Sequence, residues 1–239
     1  MTAGSGRIDI NGNTSGETLY TKVAFEKDVI NVATVPPAYY KRKHSPSAWK
    51  MSDALPSWSY EGYEGKPISV EVYANCDKIE LYVNDKCVKR KKMNSSSMVK
   101  FTTTYQKGTL KAVALDKSGN KIGESVLHSA EKQTILAAIP ECTTLKKTDL
   151  LYVNVMFCDQ YQNIKPLERR EVSIEVKNGT LLAFGNACPF NDKGYHNTVC
   201  ETYQGRAMAI IKPMESGDIE VNFKSSKGED HCIVTVIEE

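Results

Sequence analysis

Apolar side chains recur at every second position along two neighbouring runs, and the rest of the chain is placed around them. Ile68, Val70, Val72 and Tyr73-Ala74 form a β-rich run, Asn75-Cys76-Asp77 turns the chain, and Ile79, Leu81 and Val83 alternate with Glu80, Tyr82 and Asn84. A period of two sends one face of a strand to a core and the other to water, so the pattern predicts a half-buried strand pair. Asn84-Asp85 tolerates positive φ, which predicts a hairpin and a third strand from Lys86 to Lys89.

Taken in order, Glu17 to Phe25 reads as a short helix, with Thr14 or Ser15 as N-cap and Leu19, Tyr20 and Val23 as its apolar stripe. Asp28 to Val35 alternates weakly and stops at Pro36-Pro37, because proline has no amide to donate to a ladder. Tyr39 to Ser57 shows no period and reads as an irregular excursion over the sheet, anchored by Trp49 and Trp58. Further strands are predicted at Met98 to Tyr105, Gly108 to Asp116 and Lys121 to Leu127, before a polar break at His128 to Lys132. A second set follows at Thr134 to Ile139, Leu150 to Asp159, Glu171 to Val176, Leu181 to Phe184, Gly205 to Lys212, Gly217 to Phe223 and Asp230 to Ile237. Strands spaced in this way, with turn signals between them, predict antiparallel sandwiches.

The stretch from Trp58 to Lys86 (WSYEGYEGKPISVEVYANCDKIELYVNDK) resembles the immunoglobulin-like domain that follows the catalytic barrel in bacterial glycoside hydrolase family 2 enzymes of the β-galactosidase group. Asp85 stands where that pattern usually has Gly. The GTLKAVALD segment at Gly108 to Asp116 fits the same domain, while DLLYVNV at Asp149, NGTLLAFGN at Asn178 and YQGRAMAII at Tyr203 resemble the last, also immunoglobulin-like, domain of those enzymes. The segment Gly6-Arg7-Ile8-Asp9 with its following helix resembles the last β-to-α step of the family's (β/α)8 barrel. The resemblance therefore implies an all-β chain of two tandem immunoglobulin-like β-sandwich domains, 28–130 and 131–239, behind a barrel remnant at 1–27. It implies a non-catalytic accessory region whose partner is the catalytic barrel of a bacterial parent enzyme, cytoplasmic, periplasmic or secreted. A free carbohydrate-binding module and a tandem cell-surface adhesin or spacer are the alternatives, although an adhesin has no use for the Gly-x-x-Asp segment.

Composition narrows these choices. The net charge of +2 over 239 residues offers no field for nucleic acid or an anionic membrane, and the KRKK run at Lys89 to Lys92 is expected in a loop, as a solvated hairpin end. No apolar run reaches the roughly 18 residues of a transmembrane helix, and the start lacks the apolar core of a signal peptide, so the chain is expected to be soluble as given. Seven cysteines without CxxC spacing, and four histidines without ligand spacing, argue against a metal, and no cofactor is expected. Cys188 and Cys200 flank one loop and could pair under oxidising conditions.

Retaining glycoside hydrolysis needs two carboxyl groups about 5 to 5.5 Å apart. The family places them on glutamates earlier in the barrel, and neither motif is present. Isolated carboxylates such as Asp9, Asp116 and Asp159 read as turn caps. Candidate sugar contacts are Trp49 and Trp58, in an aromatic cluster with Tyr60 and Tyr63, and Asn186 in the long loop Gly185 to Cys200.

Overall fold

The computed structural model describes residues 6–26, 28–41, 50–191 and 193–238. They fall into two compact units, the first running to Ser129 and the second beginning at Ala130.

The first unit contains α1 (Gly16–Phe25), β1 (Ile30–Val35), a 3-10 turn at Pro37–Tyr39, β2 (Pro67–Ala74), β3 (Lys78–Val83), β4 (Lys86–Lys92), β5 (Met98–Thr104), β6 (Thr109–Leu115) and β7 (Lys121–His128). Two antiparallel sheets, β1-β2-β5 and β4-β3-β6-β7, face one another. The alternating residues do what their period dictates: Ile68, Val70 and Val72 meet Ile79, Leu81, Val83, Leu110 and Ala112 in one core. Each large aliphatic side chain removed from water in this way contributes about 1.5 to 3 kcal/mol. Asn84 and Asp85 both adopt positive φ, +49° and +63°, so the β3–β4 hairpin turns as its sequence demands. The KRKK run does not lie in a loop. It belongs to β4, which pairs with β3 from Lys78↔Lys92 to Val83↔Lys86 and forms the edge of its sheet.

Helix α1 covers the other face of the three-stranded sheet. Val23 packs with Ala33, Ala54 and Tyr73, and Leu19 and Tyr20 complete that cluster. Ser15 takes an extended N-cap conformation and donates its N–H to Thr18 Oγ1 at 3.0 Å. Gly16 is required by close approach, because a Cβ there would lie 2.6 Å from the Tyr73 hydroxyl. Asn75, in the turn after β2, donates its Nδ2 to Val23 O in the last turn of the helix (2.8 Å), a carbonyl without an intrahelical donor, and Asn31 Nδ2 of β1 donates to Leu19 O (3.3 Å).

The second unit contains β8 (Ile135–Pro140), β9 (Thr144–Lys146), β10 (Leu151–Cys158), β11 (Glu171–Lys177), β12 (Gly179–Gly185), β13 (Val199–Glu201), β14 (Arg206–Pro213), β15 (Gly217–Ser225) and β16 (Gly228–Ile237). Its sheets are β12-β14-β10-β8 and β13-β11-β15-β16-β9, with β9 parallel to β16 and every other pairing antiparallel. Leu151, Val153, Val155 and Phe157 from β10 face Val172, Ile174, Val221, Phe223 and Val234 from the opposite sheet. Asp230 ties the edge strand β8 to this framework, its Oδ2 accepting the Ala138 N–H at 2.7 Å. The short strands β9 and β13 have no counterpart in the sequence reading, since three residues carry no period.

Candidate functional site

Of the three candidate sugar contacts, Trp49 lies outside the described residues. Trp58 is 0% exposed and Tyr60 equally buried, so the expected stacking platform does not exist at these two positions. The reason is the corner that precedes β2. The Trp58 ring meets Tyr105 edge-on at 4.9 Å between centroids, and Tyr60 meets the Tyr105 ring at 5.7 Å. Tyr105 Oη accepts the Tyr60 N–H at 3.0 Å, and Ser129 Oγ donates to Trp58 O at 2.6 Å, pinning the corner to the end of β7. Burial raises the Tyr60 hydroxyl far above the ordinary phenol range, with the Thr34 hydroxyl 2.7 Å away partly opposing the shift. The Trp58 Nε1–H is enclosed with no acceptor, a cost of about 1 to 3 kcal/mol that the surrounding packing outweighs. A sugar ring needs an open aromatic face, and Trp58 has none.

Asn186 belongs to the second unit and is 9% exposed. Its Nδ2 donates to Glu201 O, and its Oδ1 accepts the Cys188 N–H at 2.8 Å. Both ends of the amide therefore hold the loop that leaves β12, and Tyr195 lies against Gly185, where a Cβ would come within 2.2 Å of its ring. Its polar groups face protein backbone. Cys188 and Cys200 remain separate thiols, and burial pushes Cys200, like Cys158 and Cys232, up to about 11, so these three are protonated and unreactive near neutrality.

The concave feature that sequence reasoning missed lies on the α1-covered side of the first sheet. Val35, Tyr39, Tyr40, Ser52, Glu71 and Lys100 line a cleft of about 140 Å³. Glu71 forms its floor, on the face opposite Val70 and Val72, and is 1% exposed. Its Oε2 accepts from Ser52 Oγ at 2.7 Å and from Tyr73 Oη at 2.5 Å, while Lys100 Nζ stands 2.8 Å from Oε1. Burial, then the adjacent Glu71 carboxylate, push the Tyr73 hydroxyl far above its ordinary range. Glu17 from α1, also buried, accepts the backbone N–H groups of Met51 and Ser52. The two carboxylates thus bracket Ser52 and fasten the returning segment to helix and sheet. Glu71 has donors on both oxygens and Glu17 accepts two backbone N–H groups on Oε1, so the arrangement is a brace. The signal was a glutamate between valines in Ser69-Val70-Glu71-Val72, with Tyr73 on its own face.

Among the described residues no cluster of three or more His, Cys, Asp or Glu is placed to hold a metal ion, and no helix is long and apolar enough to cross a membrane.

Comparison with known proteins fixes the class. Residues 136–233 match the family model Glycoside hydrolase family 2 C-terminal domain 5, and residues 65–123 match Domain of unknown function (DUF4982). Among solved structures, a glycosyl hydrolase family 2 member from Bacteroides cellulosilyticus superposes with TM-score 0.87 at 23% identity, over 98% of this chain and 32% of that one. A beta-glycosidase from Bacteroides vulgatus gives 0.75 at 21% identity, over 97% of this chain and 28% of that one. A beta-glucuronidase from glycoside hydrolase family 2 gives 0.77 at 16%, over 98% and 23%. No curated protein sequence matches. Most of the second unit thus has the sequence pattern of a glycoside hydrolase family 2 C-terminal domain. The whole chain has the all-β architecture of the C-terminal region of family 2 glycosyl hydrolases, and it spans about a third or less of the structures it matches.

Proposed function

We propose that this chain is the accessory C-terminal region of a retaining β-glycosidase, that it contributes no catalytic group, and that its partner is the catalytic barrel of the parent enzyme. The observation that carries the reading is the match of residues 136–233 to a family 2 C-terminal domain. The engaged carboxylates of the cleft support it: Ser52, Tyr73 and Lys100 hold both oxygens of Glu71, and Asp53 is ion-paired with Lys50 at 2.8 Å. The resemblance of the Trp58 to Lys86 stretch to the β-galactosidase group supports terminal β-galactosides as the parent's substrates. A second reading, β-glucuronides, is favoured by the solved beta-glucuronidase with which the chain superposes.

The parent polypeptide, expressed with its upstream coding sequence, separates the two. The reading predicts a higher kcat/KM on an aryl β-galactoside than on the matching β-glucuronide. A reversed order replaces the substrate, and hydrolysis of neither β-glycoside contradicts the family 2 reading.

A further inference from the structure

Strand β4 concentrates charge that the rest of the molecule does not carry. Residues 78–92 hold six cations against Glu80 and Asp85, a net +4 where the whole chain has +2. Five of them, Lys86, Lys89, Arg90, Lys91 and Lys92, lie within the seven residues of β4, a line of about 20 Å at the rise of an extended strand. The strand is the edge of its sheet, so the line lies along an open rim.

The structure divides these cations by task. Arg90 Nε is bound to Glu80 Oε1 at 2.6 Å. Lys91 reaches across to the other sheet, donating to Lys100 O at 2.6 Å with its ammonium 5.4 Å from the centre of the Phe101 ring. Lys86, Lys89 and Lys92 are exposed. Register places Lys92 opposite Lys78, while Asp77 follows the β2 turn and Asp85 pairs with Lys111 at 3.3 Å. Charged side chains, lysine above all, guard an edge strand against pairing with another chain. By register Lys86, Lys89 and Lys91 share the face of Val83, Leu81 and Ile79 while Arg90 and Lys92 share the other, so cations flank the rim on both sides, and single-sign charge along it raises the local concentration of an opposite, extended polyelectrolyte.

We infer that the β4 rim, through Lys86, Lys89 and Lys92, binds a polysaccharide bearing acidic sugars. The choice of a glycan over other polyanions rests on the glycosidase reading above. The shared chemistry is a run of negative groups on an extended sugar chain, carboxylate or sulfate. Such a contact would tether an acidic glycan to the accessory region without taking part in hydrolysis.

The test uses the full 239-residue chain and measures binding to polygalacturonate, whose acids are all carboxylates, to chondroitin sulfate, which adds sulfates, to neutral dextran and to a thymidine oligonucleotide. Salt-sensitive binding to at least one acidic glycan is expected, with dextran unbound. The variant Lys86→Gln/Lys89→Gln/Lys92→Gln should weaken it about tenfold or more and flatten its salt dependence. Lys117→Gln/Lys147→Gln/Lys227→Gln, an equal charge loss on exposed residues elsewhere, should leave it within about twofold. Equal losses in both variants, no binding to either acidic glycan, or tighter binding of the oligonucleotide would overturn the inference. So would self-association of the β4 variant with unchanged glycan binding, which would leave the lysines as edge guards only. Both variants must keep the wild-type Tm, since these ammonium groups lie on the surface. The hydrolase reading would survive all of these failures, because it is tested on the parent enzyme's turnover.

Discussion

Asn163 closes on Asp159 twice, its backbone N–H reaching Oδ1 at 2.9 Å and its side-chain amide reaching Oδ2 at 3.0 Å. The same two bonds join Asn120 to Asp116 (2.8 and 3.0 Å) and Asn13 to Asp9 (2.8 and 3.0 Å). In each five-residue loop the fourth position takes positive φ: Gly12, Gly119 and Gln162. Three turns of one design thus occur in the chain, and the carboxylate of each serves as the hydrogen-bond acceptor that shapes it.

Asp159 is the deepest of the three and also accepts the Glu131 N–H at 2.8 Å. Burial alone would raise its carboxyl, but the donors of Glu131, Asn163 and Tyr161 together hold it below the usual range. A carboxyl lowered on folding stabilises the folded state above its unfolded pKa of about 3.9 and loses that contribution as pH falls through the folded value. Asp159→Asn should therefore cost roughly 1 to 3 kcal/mol near neutrality and reduce the acid-side loss of stability below about pH 4. Urea unfolding across that range checks both parts, and an unchanged pH profile would remove Asp159 from the account.

Trp58→Ala should lower stability by roughly 3 to 5 kcal/mol, as expected for an aromatic removed from a packed core. Trp58→Phe should cost markedly less, because it also removes the enclosed, unpartnered indole N–H. Thermal unfolding of both variants decides this. Wild-type stability for Trp58→Ala would place the ring outside the core.

Gly205 has φ +73°, and a Cβ there would stand 2.4 Å from the carbonyl oxygen of Lys165. Backbone cannot swing aside as a side chain can. Gly205→Ala should lose on the order of 2 kcal/mol or more in denaturant unfolding, from clash and left-handed backbone together. A loss below about 0.5 kcal/mol would mean that the β10–β14 corner yields freely.

Asp85→Gly tests the hairpin that organises the first unit. Asp85 occupies φ +63° at modest cost, and its ion pair with Lys111 is exposed and contributes little. The substitution should raise stability by a few tenths to about 1 kcal/mol, and a loss would show that the carboxylate matters more than the backbone.

The hairpin, the helix and the long alternating strands were legible because a two-residue or four-residue period states which face is buried. Ile79, Leu81 and Val83 are a clear case. The contacts that decided the candidate site were less legible because they depend on tertiary partners. Trp58 is adjacent in sequence to polar and glycine-rich residues, yet Tyr105 and Ser129 bury it. Asn186 sits in a long polar loop, yet its amide is claimed by Glu201 and Cys188. The brace around Glu71 joins residues from α1, the Ser52 segment, β2 and β5, and no local pattern announces such a meeting.

The most direct measurement is turnover by the isolated 239-residue chain on aryl β-galactoside and aryl β-glucuronide, against a heat-inactivated control. Rate enhancement depends on two positioned carboxyl groups, and the buried Glu17 and Glu71 are hydrogen-bonded into the brace that holds the Ser52 segment. The predicted result is no release of aglycone above the control on either substrate. Sustained release on one of them, abolished by substituting a single carboxylate of this chain, would contradict the accessory role.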